Sequence, residues 1–133
     1  MFGRLGWNDG KTESFVFTAI DRLATGGASL KLSAWGRSKD TVASELTVSG
    51  LSAVHAEYLA QGGLDFLIGD GRLRYGPEAS WETYYSARLR QGLTTSLDAQ
   101  YVVNPAYNRD RGPVWIVSLR VHVEIGKKTF ARP

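Results

Sequence analysis

The chain has 133 residues, with 16 Lys and Arg against 13 Asp and Glu, a formal net charge of +3, and no cysteine. That length predicts one domain, or a piece of one; the charge balance excludes a dedicated nucleic-acid surface, and the lack of Cys excludes disulfides, zinc–thiolate sites and thiol nucleophiles. No apolar run reaches the roughly eighteen residues of a transmembrane helix, but a membrane barrel stays open, because alternating strands average to mild hydropathy such as the −0.21 found here.

The first ten residues, MFGRLGWNDG, lack a basic and apolar leader. No signal peptide is visible, and the expectation is a mature form or a fragment. Residues 3–8 read as a first strand ended by NDG. TESFVFTAID (12–21) reads as a strand with Phe15, Phe17 and Ala19 on one face, and TGG (25–27) as a turn. ASLKLSAWGR (28–37) alternates, with Ala28, Leu30, Leu32 and Ala34 against Ser29, Lys31, Ser33, Trp35 and Arg37, and SKD ends it. TVASELTVSG (41–50) sets Val42, Leu46 and Val48 against Thr41, Glu45 and Thr47. Residues 52–63 then read as a short helix in a long connection, capped by Ser52 and stopped at Gly62. LDFLIGDG (64–71) reads as a brief strand.

The second half alternates more strongly. ASWETYYSARLR (79–90) sets Trp81, Thr83, Tyr85, Ala87 and Leu89 against Ser80, Glu82, Tyr84, Ser86, Arg88 and Arg90. Gln91–Gly92 is a two-residue hairpin signal that makes Arg90 and Leu93 a flanking pair. Residues 93–103 place Leu93, Thr95, Leu97, Ala99, Tyr101 and Val103 opposite Thr94, Ser96, Asp98, Gln100 and Val102. A polar loop (104–113) leads to VWIVSLRVHVEI (114–125). One face there is Trp115, Val117, Leu119, Val121, Val123 and Ile125; the other carries Ile116, Ser118, Arg120, His122 and Glu124. The chain is therefore all-β: an antiparallel up-and-down meander of seven to eight strands over residues 1–125, with one short helix in a long loop and a tail at 126–133.

Period two alone leaves two environments open. A soluble sheet with one solvated face alternates in this way, and so does an outer-membrane barrel with an apolar outside and a wet lumen. Strand lengths of about ten to twelve residues favour the barrel, whose tilted strands need roughly 9–11. Aromatics near strand ends favour it too, as girdles at the membrane interfaces.

Residues 69–124, GDGRLRYGPEASWETYYSARLRQGLTTSLDAQYVVNPAYNRDRGPVWIVSLRVHVE, carry several motifs in order: GDG before an L.YGPE turn, an E.YYS.R strand, DAQYVVNPAYN.DRGP, and a final LR.H.E strand. With GWNDGKTESFVFTAIDR (6–22), they resemble the carbohydrate-selective porins of the OprB type. The resemblance implies a sixteen-stranded outer-membrane barrel with a sugar-permeable pore, in a Gram-negative bacterium, of which this chain matches the C-terminal half. Two departures stand out. Members of that family usually end on an aromatic residue, whereas GKKTFARP follows Ile125 here, and the front half that supplies much of the constriction is not matched.

On this reading the pore-lining or inner-face residues are Lys31, Trp35, Arg37, Glu45, Glu82, Tyr84, Arg88, Arg90, Asp98, Gln100, Arg120, His122 and Glu124. The lipid-facing residues are Leu30, Leu32, Trp81, Tyr85, Leu97, Tyr101, Trp115, Val117, Leu119, Val121 and Val123. Arg88, Arg90 and Arg120 either line a track for sugar hydroxyls, with Trp35 and Tyr84 as flat surfaces, or pair with Glu82, Asp98 and Glu124 to brace the wall. Nothing in the sequence brings Glu82 and Glu124 together as a catalytic carboxylate pair, and two His without Cys make a poor metal set. The expectation is a non-enzymatic protein without metal or cofactor. Its expected partners are membrane lipid, carbohydrates weakly if at all, and other chains at its open strand edges. The alternative is a barrel-wall component of a larger membrane assembly, without transport of its own. A complete eight-stranded barrel, its interior filled by side chains, is a third and weaker option.

Overall fold

A computed structural model describes residues 1–11, 19–65 and 73–126. They form one open sheet of six antiparallel strands in the order β1-β2-β3-β4-β5-β6. The strands are β1 (Phe2–Trp7), β2 (Arg22–Leu32), β3 (Arg37–Gly50), β4 (Glu78–Arg90), β5 (Leu93–Val103) and β6 (Val114–Val123). Every described strand pairs with its neighbour in this order, so among the described residues β1 and β6 are the two edges. No helix among the described residues is long and apolar enough to cross a membrane.

The hairpin turns between β2 and β3 (33–36) and between β4 and β5 (91–92) lie at one end of the sheet. The strand ends that follow β1, β3 and β5 and precede β2, β4 and β6 lie at the other, the end of the long connections. Gly92 has φ +77°, and Arg90 faces Leu93 as the Gln91–Gly92 signal requires. The first hairpin differs from the reading above. TGG is no turn: Thr25, Gly26 and Gly27 lie within β2, opposite Thr47, Leu46 and Glu45. A Cβ on Gly27 would stand 2.8 Å from both the Phe2 ring and the Ser44 carbonyl, so this glycine answers to a crowded sheet and not to a bend. The chain turns instead through a 3₁₀ segment at Ser33–Trp35, closed by Gly36 at φ +70°. Ser38, Lys39 and Asp40 do not end a strand but belong to β3.

The helix α1 (Ala53–Ala60) forms as read, its Ser52 side chain accepting from the His55 amide at 3.2 Å. Residues 12–18 and 66–72 lie outside the described residues, and with them most of the strands read over 12–21 and 64–71. Six of the seven to eight expected strands are thus described.

The main buried apolar cluster sits off the sheet, among the long connections. Ala19, Leu51, Leu59 and Tyr107 pack together, with Ala56, Leu73 and Ala106 against them. The Tyr107 hydroxyl donates to the Ala19 carbonyl at 2.7 Å, and the Tyr107 carbonyl accepts from the Gly76 amide at 2.9 Å. The Asp21 carboxylate accepts from the Ser52 amide at 2.7 Å and lies 3.0 Å from one ring nitrogen of His55; Asp65 lies 3.0 Å from the other. These contacts tie three connections into one cap. Burial pushes the Tyr107 hydroxyl up to about 12. The folded state thus holds this proton more tightly than the unfolded chain, whose tyrosines ionise near pH 10. Its contribution is complete below about pH 10 and is lost as pH rises towards 12. An alkaline titration should show the cap loosening in that interval; a Tyr107→Phe protein with the same loss of stability between pH 10 and 12 would contradict the assignment.

Candidate functional site

Cross-strand register sorts the side chains onto two faces, because directly paired residues share a face. One row runs Gly26, Leu46, Trp81, Tyr101, Trp115, the next in step runs Ala28, Ser44, Thr83, Ala99, Val117, and the one after it runs Leu30, Val42, Tyr85, Leu97, Leu119. Val117, Val121 and Val123 continue this apolar face on β6. Nothing among the described residues covers it: Trp115, Leu119 and Val123 are 61%, 71% and 59% exposed. From Trp115 to Val123 the face runs about 26 Å along the strand at about 3.3 Å per residue, or about 20 Å along the membrane normal after a tilt near 40°; a barrel's apolar band is about 25 Å. Trp81 and Trp115 meet edge-on with ring centroids 6.4 Å apart, and Tyr101 lies 4.8 Å from Trp115. They form an aromatic row at the end bearing the long connections.

The opposite face is polar. The row next to the aromatic one is Gly27, Glu45, Glu82, Gln100, Ile116. Glu45 and Glu82 stand directly opposite each other, a repulsive placement that hydrogen bonds relieve. Thr25 and Thr47 donate to Glu45 at 2.7 and 2.9 Å, and Gln100 donates to Glu82 at 2.8 Å. Tyr84 pairs with Asp98 in the next row. Beyond it come Lys31, Ser86, Ser96 and Arg120, then Arg88, Thr94 and His122. The face is therefore acidic from the aromatic row to mid-height and basic towards the short turns.

The bracing pairs expected for the arginines are not formed. Among the described residues Arg88, Arg90 and Arg120 make no ion pair with Glu82, Asp98 or Glu124; Glu124 instead lies 3.3 Å from His122 at the exposed end. Glu82 shares a row with Ile116, eight residues from Glu124, or about 26 Å at about 3.3 Å per residue, beyond any paired-carboxylate separation. No group of three or more His, Asp or Glu among the described residues is placed to hold a metal ion.

Four assignments change. Trp35 lies in the 3₁₀ turn, 76% exposed, and not on a strand face. Leu32 is buried beside that turn. Arg37 pairs with Leu32 across an irregularity in register, and its Nε donates both to Asp40 and to the Tyr85 hydroxyl, which belongs to the apolar row. Arg90 follows a bulge in which Leu89 is the extra residue; it pairs with Leu93, which pairs with Val123. Arg37 and Arg90 are therefore on the apolar side, while Arg88, paired with Thr94, stays on the polar side. Asp40, which the sequence did not single out, anchors this corner: almost fully buried, it also accepts from the Arg88 amide at 3.0 Å.

An uncovered apolar face, an aromatic row and a charged opposite face describe barrel wall, and the family comparison agrees. The family described as Carbohydrate-selective porin, OprB family, matches residues 1–125. The chain belongs to this family. The match covers all six strands and the cap of long connections, so the porin family is carried by the whole sheet and not by one motif. No curated protein and no solved structure matches the chain closely enough to count as a relative.

Proposed function

We propose that this sheet is a stretch of outer-membrane porin wall in a Gram-negative bacterium, and that the barrel it contributes to passes neutral carbohydrates by passive diffusion. The observation that carries the reading is the predominantly apolar face from β2 to β6, interrupted by Ser44, Thr83 and Thr95, whose hydroxyls bond to backbone carbonyls, and left uncovered by the described residues. Lipid is the medium that suits it. The polar face then lines the aqueous passage, with Glu45, Glu82 and Gln100 beside the aromatic row, Asp98 at mid-height, and Lys31, Arg88, Arg120 and His122 nearer the short turns. By the usual build of such barrels the short turns point to the periplasm and the long connections outward.

A second reading is favoured by the open edges. Unpaired backbone groups of β1 and β6 in lipid cost several kcal/mol each, so the sheet needs strands from elsewhere, or another chain, along both edges. As one section of wall in a larger membrane assembly, the chain would carry no transport of its own. Liposome swelling with a neutral disaccharide, together with particle mass in detergent, separates the two. The purified chain should bind sugar weakly and give no sugar-selective swelling as a monomer. Swelling from a particle of two-chain mass would support the porin reading; swelling from a demonstrated single-chain particle would refute the closure argument.

A further inference from the structure

The two arginines that register irregularities carry onto the apolar side lie at the same end of the sheet, the short-turn end, and both are exposed. We infer that Arg37 and Arg90 form a binding rim for the phosphate of anionic phospholipid headgroups, where the apolar face meets the short turns. The inference rests on the membrane reading of that face.

Four observations converge. First, Arg37 is held in place from behind. Its Nε donates to Asp40 and to the Tyr85 hydroxyl, and Asp40 is itself fixed by the Arg88 amide. The two terminal nitrogens of the guanidinium make no hydrogen bond among the described residues, and the side chain is 51% exposed. A guanidinium oriented through Nε presents its terminal pair outward, the geometry that receives two phosphate oxygens side by side. Second, Arg90 has no ion pair or side-chain hydrogen bond among the described residues, and it stands in the row of Leu93 and Val123 at the limit of the apolar face. Third, the surroundings are amphipathic in the way an interface requires. Leu30 and Leu89 are exposed on the acyl side, and Trp35 projects from the turn with 76% of its surface free. Fourth, the rim is unbalanced in charge. The one carboxylate on its apolar side, Asp40, is buried beneath Arg37 and already occupied, so net positive charge faces outward. At the long-connection end Arg22 is also exposed on the apolar side, but the described cations there (Lys11, Arg22, Arg74, Arg109, Arg111) are outnumbered by carboxylates (Asp9, Asp21, Glu57, Asp65, Glu78, Asp110), and Arg74 is paired with Asp110 at 2.6 Å.

Phosphate on a lipid is favoured over free phosphate because the cations flank an apolar surface that a free anion would not use. The test is native mass spectrometry of the full chain folded in dodecylmaltoside, titrated with phosphatidylglycerol or phosphatidylcholine. Phosphatidylglycerol should be retained in preference, and each arginine removed should weaken that preference about fivefold, the factor expected for one cation at an anionic membrane surface. Arg37→Gln with Arg90→Gln should therefore nearly erase it. Lys31→Gln with Arg88→Gln removes the same charge from the polar side of the same end and should leave the preference within about twofold. Loss of Arg37 strips Asp40 of a partner; if that double variant does not fold, Arg90→Gln alone decides, since no described side chain depends on it. Equal retention of the two lipids, equal losses in the two double variants, or displacement of phosphatidylglycerol by millimolar inorganic phosphate would each overturn the inference. A chain that enters neither micelles nor phosphatidylcholine vesicles would overturn both the membrane reading and the rim. Normal insertion without lipid preference would overturn the rim alone.

Discussion

Leu119→Arg should abolish stable insertion, while Ser118→Arg, one residue away, should be tolerated. Leu119 is midway along the apolar run of β6, paired with Leu97 and 71% exposed. A guanidinium at that depth costs about 2–4 kcal/mol in a barrel wall, roughly a 30- to 900-fold loss in the ratio of folded to unfolded protein. Ser118 pairs with Asp98 on the polar face. An arginine there meets a carboxylate directly opposite, worth about 0.2–1 kcal/mol in favour of the sheet. Urea titrations in short-chain phosphatidylcholine vesicles, followed by tryptophan emission, compare the two. Equal destabilisation would contradict the assignment of the faces, and a monodisperse monomer of the parent chain in plain buffer would contradict the membrane environment itself.

Tyr107→Ala should release the cap from the sheet. The ring is buried among Ala19, Leu51 and Leu59, and its hydroxyl satisfies the Ala19 carbonyl. Truncating a buried aromatic side chain costs about 3–5 kcal/mol, and Tyr107→Phe, which only orphans the carbonyl, about 1–3 kcal/mol. The expected signature is local. Trypsin should cut the Ala variant readily after Lys11, Arg109 and Arg111 while β4 and β5 stay protected in the bilayer. A variant as resistant as the parent at these sites would show that the cap is held by something other than Tyr107.

The alternation along β4, β5 and β6 was legible because side chains of a strand report its two faces without reference to anything distant. Gln91–Gly92 was legible for the same reason: a two-residue turn is a local event. The errors arise where local rules compete. Two consecutive glycines signal a bend, yet Gly26 and Gly27 lie inside β2, where Gly27 serves close approach to β1 and β3. Ser33–Ala34–Trp35 continues the strand pattern in composition but turns in fact, since Gly36 supplies the left-handed residue that closes the turn. A bulge changes parity without changing residue type, so Arg37 and Arg90 read as inner-face groups although register carries them outward. The cap was illegible for another reason. Tyr107 meets Ala19 across 88 residues, and no periodicity reports a contact at that separation.

The fold is turned inside out with respect to an ordinary sheet protein, and this bears on what its stability means. Its buried cluster lies off to one side, while the broadest apolar surface points away from the chain. On the proposed membrane reading, amphiphile is a thermodynamic ligand of the native state, bound along that surface and far less by the disordered chain, and mass action then ties the folding free energy to it. Dilution of detergent below its micellar threshold acts on this molecule as ligand withdrawal. A melting temperature belongs to the pair of chain and amphiphile, with chain length of the amphiphile as one of its variables, and has no value for the polypeptide by itself.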